Sequence, residues 1–209
     1  MPLINNNCPN VETLFLGFKE IETQDFNNVF SNMSHLKSLS IKWLCEYSTL
    51  PISLVESLEQ VSGTLESFYL DCHSRKNDLC LPHSLASVFL GFVVLKNFRI
   101  TRFELNQLLL ESISQMQNLV ELFFLCEWKE YQIVRNKINM YPIGNLKNLE
   151  RLIISFDCGV TDEFLINLSN NAKKLNYVSI NSTHITDVGR NALNNLKELK
   201  ANLWEELKK

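Results

Sequence analysis

Alanine and glycine are scarce in this chain of 209 residues, with four and six occurrences. Alanine is the best helix former, so its scarcity argues against a helical bundle or a coiled coil. Six glycines leave little material for phosphate-binding loops, and the sequence contains no GxGxxG, GxxxxGK, HExxH or GxSxG motif. With no catalytic constellation to be found, we expect that the chain is not an enzyme.

The chain also lacks a large excess of positive or negative charge, and it has no long apolar run. Twenty lysines and arginines oppose 23 acidic residues, which gives a net charge of −3. Nucleic acids and anionic membranes attract strongly basic proteins, so we expect neither as a partner. The longest apolar stretch, from Ser84 to Leu95, is too short for a membrane-spanning helix, and the N-terminus does not resemble a signal peptide. A cytoplasmic location, extending to the nucleus, is the expectation.

The six cysteines are scattered and predict no disulfide framework. Cys72, His73, Cys80 and His83 carry ligand atoms for zinc, but their spacing lacks the paired cysteines of closed zinc sites. We therefore expect no metal and no cofactor. Cys45 and Cys72 each follow a predicted strand, as do Cys126 and Cys158. The expected role for these cysteines is structural, in bonding free backbone groups of the turn.

Leucine and asparagine are abundant, with 34 and 24 occurrences, and the leucines recur in the frame LxxLxL. An eighth segment, from Leu199 to Trp204, misses the frame and is expected to be an eroded last repeat. Residues 1–209 are therefore predicted to form one leucine-rich repeat domain of about seven repeats. The first apolar residues of the matching segments, which we call anchors, lie 24 to 30 residues apart and are Val11, Leu36, Leu65, Leu95, Leu119, Leu149 and Leu175.

Alternating apolar residues in each LxxLxL segment predict a strand, and the remainder of the repeat predicts a helix. The expected fold class is α/β, a leucine-rich repeat solenoid (horseshoe) with a parallel β-sheet on the concave face and helices on the convex face. Thr161 and Thr186 are predicted helix N-caps, with Phe164 and Leu168, then Val188, Ala192 and Leu196, on the inward helical faces. Earlier helices are predicted from three apolar sets: Phe26, Val29, Phe30 and Met33; Leu54, Leu58 and Val61; Leu105, Leu108, Leu109 and Ile113.

Two and four residues after each anchor, the strand residues should point to solvent. Several of these positions carry aromatic, aliphatic or arginine side chains where polar residues are usual. Aromatic residues and arginine are enriched in protein interfaces, so a protein partner is predicted on the concave face. The helix side is expected to offer less, because its outward residues are mostly Asn, Lys and Glu. The candidate partner-binding residues are Phe15, Tyr69, Arg99, Glu121, Phe123, Arg151, Ile153 and Tyr177.

The turns at 160–162 and 185–189, VTD and ITDVG, resemble the ITDxG element of the cysteine-containing leucine-rich repeats. NCPNVETL at 7–14 resembles the NCPNLxxL join between two such repeats. These repeats are found chiefly in F-box/leucine-rich-repeat proteins. The resemblance implies the substrate-recognition part of a cullin–RING ubiquitin ligase, in which an F-box absent from this chain would bind the ligase adaptor.

A second interpretation stays open. The chain resembles, in a more general way, stand-alone leucine-rich repeat binding proteins of the ribonuclease-inhibitor or immune-receptor kind. Such repeats are steadier in length and have alanine-rich helices, whereas the periods here fall to 24 residues and alanine is scarce. These two differences favour the F-box interpretation.

Overall fold

The computed structural model of the protein describes residues 8–19, 26–45, 50–72, 81–103, 105–125, 138–155, 159–182, 185–196 and 200–204. One parallel sheet of eight strands runs through these segments, and the strands lie side by side in chain order. The strands are β1 (Thr13–Phe18), β2 (Ser38–Trp43), β3 (Ser67–Cys72), β4 (Asn97–Thr101), β5 (Glu121–Leu125), β6 (Arg151–Ile154), β7 (Tyr177–Asn181) and β8 (Lys200–Trp204).

The register of the sheet aligns equal positions of successive repeats. Leu39 on β2 pairs with Phe68 on β3, which pairs with Phe98 on β4. The same row continues through Leu122 on β5 and Leu152 on β6. All five side chains are at most 1% exposed, so the inward face of the sheet is one continuous apolar core.

Short helices follow most strands and cover the core from the other side. Because strands and helices alternate along the chain and the strands stack in parallel, the fold is an α/β leucine-rich repeat solenoid, as the sequence predicts. The helices are α1 (Ile52–Glu59), α2 (Leu85–Gly91), α3 (Gln107–Ile113), a 3₁₀ helix (Tyr141–Asn145), α4 (Asp162–Asn171) and α5 (Asp187–Leu193).

The predicted N-caps of α4 and α5 are present. The side chain of Thr161 accepts a hydrogen bond from the backbone amide of Phe164 at 3.3 Å, and Thr186 accepts one from Val188 at 3.2 Å. Both bonds satisfy an amide that the first helical turn leaves without a partner. Pro51 stands directly before α1, where its missing amide hydrogen costs nothing.

The prediction of a helix through Phe26 and Met33 is wrong. Both residues are buried as expected, but residues 27–32 form turns. Asn28 adopts a positive φ of 57°, which an α-helix does not tolerate, and the amide of Met33 bonds the carbonyl of Phe30, three residues back. A turn buries residues at nearly the same spacing as a helix, so the apolar pattern alone does not separate them.

Two predicted inward helix residues point to solvent instead. Leu108 is 47% exposed because α3 directs Leu109, Leu110 and Ile113 inward, which places Leu108 beside the apolar stripe. Val188 is 60% exposed because Gly189, the next residue of α5, packs against α4. The rest of the set predicted around α3, Leu105, Leu109 and Ile113, is buried as expected, whereas α5 buries Gly189 and Leu193 instead of Val188.

The carboxylate of Asp162 joins the last two helical repeats. It accepts hydrogen bonds from the amide of Thr186 (2.9 Å), the hydroxyl of Thr186 (2.5 Å) and the amide of Gly189 (3.1 Å). The Thr186 hydroxyl is the main cause, and the two amides add to it, so the pKa of Asp162 is lowered below its ordinary value despite a smaller opposing effect of burial. The Asp of one TD turn and the Thr and Gly of the next turn thus link neighbouring repeats through hydrogen bonds.

The eighth segment forms a strand although it misses the LxxLxL frame. Lys200 pairs with Tyr177, and the ladder continues to Trp204 beside Asn181. Ladder hydrogen bonds use backbone groups only, so a strand can extend the sheet without the leucine pattern.

Candidate interaction surface

The outward side of the sheet, here the concave face, carries all the candidate residues. Tyr69, Arg99, Phe123 and Ile153 are register partners on the consecutive strands β3 to β6. In the neighbouring row, Glu121, Arg151 and Tyr177 are register partners on β5 to β7. These seven side chains form one patch, which we call the β3–β7 patch.

Phe15 lies on the same face but outside the patch. It is 75% exposed on β1, and Ser40 on β2 separates it from Tyr69 on β3. The structure therefore brings seven of the eight candidates together and leaves Phe15 as a separate apolar residue near the edge of the sheet.

Arg99 on β4 is held between an acid and an aromatic ring. Its guanidinium carbon lies 4.4 Å from the ring centroid of Phe123 on β5, a cation–π contact. On the other side, Nε of Arg99 lies 3.6 Å from Oδ1 of Asp71 on β3. That carboxylate also accepts a hydrogen bond from the hydroxyl of Thr101, which fixes its position.

Arg151 on β6 repeats this arrangement two strands further along the sheet. Its guanidinium carbon lies 5.3 Å from the ring centroid of Tyr177 on β7, and Nη1 lies 3.5 Å from Oε1 of Glu121 on β5. About half of each of the two charged side chains is exposed to solvent. The patch, together with the adjoining Asp71, thus forms two acid–arginine–aromatic units, each spread over three consecutive strands.

Asp71 and Thr101 are not among the candidate residues predicted from the sequence. Both lie six residues after their anchors, whereas the predicted outward positions are two and four residues after each anchor. The sixth position is the next one along the strand that points outward. Extending the outward column to this third position would have placed Asp71 next to Thr101, its register partner, and diagonally next to Arg99.

The concave face is more basic than the rest of the molecule. Lys42 on β2 and Lys200 on β8 join the two arginines, against the carboxylates of Asp71 and Glu121. Four basic and two acidic side chains give this described part of the face a net charge of +2, whereas the whole chain carries −3.

The helix side exposes more apolar surface than the sequence suggested. The sequence predicts mostly Asn, Lys and Glu at its outward positions, but nearly every described helix also exposes a large apolar side chain. The most exposed examples are 47% to 67% accessible and lie one to a helix, on α1, α2, α3 and α5: Ile52, Leu90, Leu108 and Val188. Apolar residues that are exposed one at a time, without forming a patch, are ordinary on protein surfaces.

At the edge where the strands begin, hydrogen bonds connect successive repeats. Lys37 bonds Glu12 at 2.8 Å and Lys96 bonds Glu66 at 2.7 Å, and these bonds lower the pKa of both glutamates. An open groove of about 490 Å³ runs along this edge. Its lining mixes acidic, basic, amide and apolar side chains: Glu66, Val94, Lys96, Asn118, Val120, Asn148, Glu150 and Lys174.

The structure describes three of the cysteines, of which Cys8 is exposed and Cys45 and Cys72 are buried. Cys45 is buried and its thiol donates to the carbonyl of Phe18 at 3.4 Å, which is the turn-bonding role expected for it. Of the four residues considered as zinc ligands, Cys72 is buried and His83 is exposed, while His73 and Cys80 lie outside the described residues. Cys126 and Cys158, for which a role in the turns was predicted, also lie outside them. Within the described part of the chain, no three His, Cys, Asp or Glu residues are grouped as a metal site would require. None of the helices in that part of the chain combines the length and the apolar character that a membrane span needs.

The repeat frame, the parallel sheet and the flanking helices define a leucine-rich repeat fold. No known protein family profile matches the chain. A Caenorhabditis elegans protein named "Putative RNA-binding protein EEED8.10" is 23% identical over 225 aligned positions, which cover 95% of this chain. The chain spans about 30% of the length of that relative.

Two solved structures are similar to the chain in shape. One is an internalin from Listeria monocytogenes, with a TM-score of 0.47 and 13% identity, covering 87% of this chain and 57% of the internalin. The other is a Bacteroides fragilis protein, with a TM-score of 0.45 and 13% identity, covering 94% of this chain and 66% of that protein.

Proposed function

We propose that the chain is a non-catalytic protein-binding module and that the β3–β7 patch holds its partner. The observation that carries this proposal is the pair of acid–arginine–aromatic units, flanked by Tyr69 and Ile153, on a strand face that is normally polar. Tyrosine and arginine are among the commonest hot-spot residues of interfaces, where a few central side chains supply most of the binding energy.

We further propose that the partner is the substrate of an F-box type cullin–RING ubiquitin ligase in the cytoplasm or nucleus. The support is the resemblance of the TD and TDVG turns to the ITDxG element. The hydrogen bonds of Asp162 to Thr186 and Gly189 give this element a role in stacking the repeats. In this proposal the adaptor binds a part of the full-length protein outside the present chain.

RNA binding is the second candidate, and the name of the nematode relative is the observation that favours it. Arginine and aromatic side chains also stack on unpaired bases. However, most of that relative lies outside the match, and the net charge of −3 does not favour a polyanion. Protein is therefore the partner that we propose.

Site-specific photo-crosslinking tests the binding role. Benzoylphenylalanine replaces Tyr69 or Ile153 on the patch and, as matched controls, Ile52 or Leu108 on the helix side. In native extract we expect protease-sensitive adducts from the patch positions, which disappear when Phe123→Ala is added. Adducts that come only from the helix side, or that ribonuclease removes, would contradict the proposed function.

The ligase role needs a separate measurement on the full-length protein. Depleting that protein should lengthen the half-life of the cross-linked partner, and blocking the proteasome should remove the difference. A partner whose half-life does not change would contradict the ligase role and leave the binding role intact.

A further inference from the structure

We propose that the β3–β7 patch recognises an acidic segment of its protein partner, through two carboxylates that engage Arg99 and Arg151. This inference rests on the proposed protein-binding function and adds the chemical class of the partner. The first observation that supports it is that the two guanidinium groups have hydrogen-bond donors without a protein acceptor among the described residues.

Both arginines have unused hydrogen-bond donors. Within the described residues, Nε of Arg99 is buried without a hydrogen-bond partner, and its nearest acidic oxygen, on Asp71, is 3.6 Å away. Nη1 of Arg151 is 3.5 Å from Glu121, also too far for a strong hydrogen bond. The planar fork of a guanidinium matches a carboxylate with two parallel N–H···O bonds. An incoming carboxylate would engage the exposed part of each side chain, which is 43% accessible for Arg99 and 50% for Arg151, and not the buried Nε of Arg99.

The two groups are also held in place before a partner arrives. Phe123 supports the guanidinium of Arg99, and Tyr177 supports that of Arg151. A side chain that is already oriented loses less conformational freedom on binding, so these contacts favour a bound state that uses them.

Charge favours an acidic protein segment over a nucleic acid. The described concave face carries +2 on a molecule of −3, which attracts acidic groups to this face. Asp71 and Glu121 stand between the basic groups and repel a chain that carries a phosphate at every nucleotide. The arginines also cover ring faces of Phe123 and Tyr177 on which bases would stack.

The register sets the spacing of the two carboxylates. Arg151 lies two strands away from Arg99 and two residues nearer the start of its strand, so their Cα atoms are about 12 Å apart. Acidic residues four apart in an extended segment are separated by about 13 Å. On a helix, residues seven or eight apart are separated by about 10–12 Å. Tyr69 and Ile153 then offer apolar contacts at the two ends of the row.

Peptide display on the intact chain tests the inference. Random peptides of about 16 residues, long enough for either spacing, are selected on the wild-type chain and counter-selected on the Arg99→Gln, Arg151→Gln variant. Enriched peptides should carry two acidic residues at one of the predicted spacings. A synthetic copy should bind the variant at least about tenfold more weakly and should lose affinity as salt is raised.

Two further variants make the result specific. Arg99→Lys with Arg151→Lys keeps the charge but removes the fork, so an intermediate loss of peptide affinity is expected. Lys173→Gln with Arg190→Gln removes the same charge away from the concave face and should leave affinity within about twofold. Thermal unfolding of every variant is measured in parallel. If the Arg99→Gln, Arg151→Gln variant does not fold, the Arg99→Lys, Arg151→Lys variant is used for the test.

Each other outcome is decisive. Peptides that lack an acidic pair, and that depend on Tyr69 and Phe123 but not on the arginines, would overturn the inference and leave the proposed function intact. Peptides whose binding depends neither on the two arginines nor on Tyr69 and Phe123 would contradict both the inference and the proposed function. Single-stranded RNA of about 20 nucleotides that binds as tightly as the best peptide, and is lost in the glutamine variant, would replace the acidic segment as the ligand.

Discussion

Oδ1 of Asp162 accepts a hydrogen bond of 3.1 Å from the backbone amide of Gly189, across the junction of α4 and α5. A Cβ atom built on Gly189 would lie 2.4 Å from that oxygen and 3.0 Å from Cδ1 of Leu165. The close approach of the preceding repeat therefore favours glycine at this position of the TDVG turn. Sequence resemblance marked the position, and the structure supplies its physical reason.

Replacing Gly189 by alanine should destabilise the protein by about 1–3 kcal/mol, because the added methyl group overpacks the junction. In an unhindered helix interior the same change stabilises by about 1 kcal/mol, so the sign of the effect is informative. Denaturant midpoints provide the measurement, and Gly63→Ala is the control, since a Cβ there meets nothing within 4 Å. Stabilisation by Gly189→Ala would show that the junction has room for a side chain.

The lowered pKa of Asp162 predicts an acid dependence of stability. Because the carboxylate is favoured in the folded state, its contribution is fully present above the unfolded-state pKa of about 4. It is lost as the pH falls through the lower folded-state pKa. The difference in unfolding free energy between wild type and Asp162→Asn should be constant from pH 7 to about pH 5 and shrink below that. A difference that grows as the pH is lowered would contradict the lowered pKa.

Neighbouring residues of β6 should respond very differently to alanine. Leu152 is 0% exposed, and a buried Leu→Ala change costs about 2–5 kcal/mol. Arg151 points to solvent, where a substitution usually changes stability by about 0.5 kcal/mol. Chemical denaturation of the two variants is the measurement. Equal losses would be incompatible with the inward and outward assignment of the strand.

The strands could be predicted because their burial repeats every second residue and the anchors fix the register from repeat to repeat. Leu152 and Val178 therefore occupy the expected inward positions. The same argument placed Tyr69, Arg99 and Phe123 in one row. Sequence periodicity is enough when one repeat position performs the same role in every repeat.

Other features depend on contacts between repeats that the periodicity does not describe. Val188 points outward because of the packing of Gly189 against α4, which the apolar pattern of α5 does not contain. The ion pair of Arg99 with Asp71 joins different outward positions of neighbouring repeats. Such details follow from side-chain conformation and from the lengths of the intervening segments.

The contact between Arg99 and Phe123 should be measurable as a coupling in stability. A guanidinium 4.4 Å from a ring centroid at a partly exposed site contributes about 0.5–1 kcal/mol. A double-mutant cycle of Arg99→Gln and Phe123→Leu isolates this term, because leucine keeps much of the apolar contact but removes the ring. The matched cycle replaces Arg99 and Ile153, which lie two strands apart and should show no coupling. If both cycles give the same value, the ring does not hold the guanidinium, and the preorganisation of the first acid–arginine–aromatic unit is refuted.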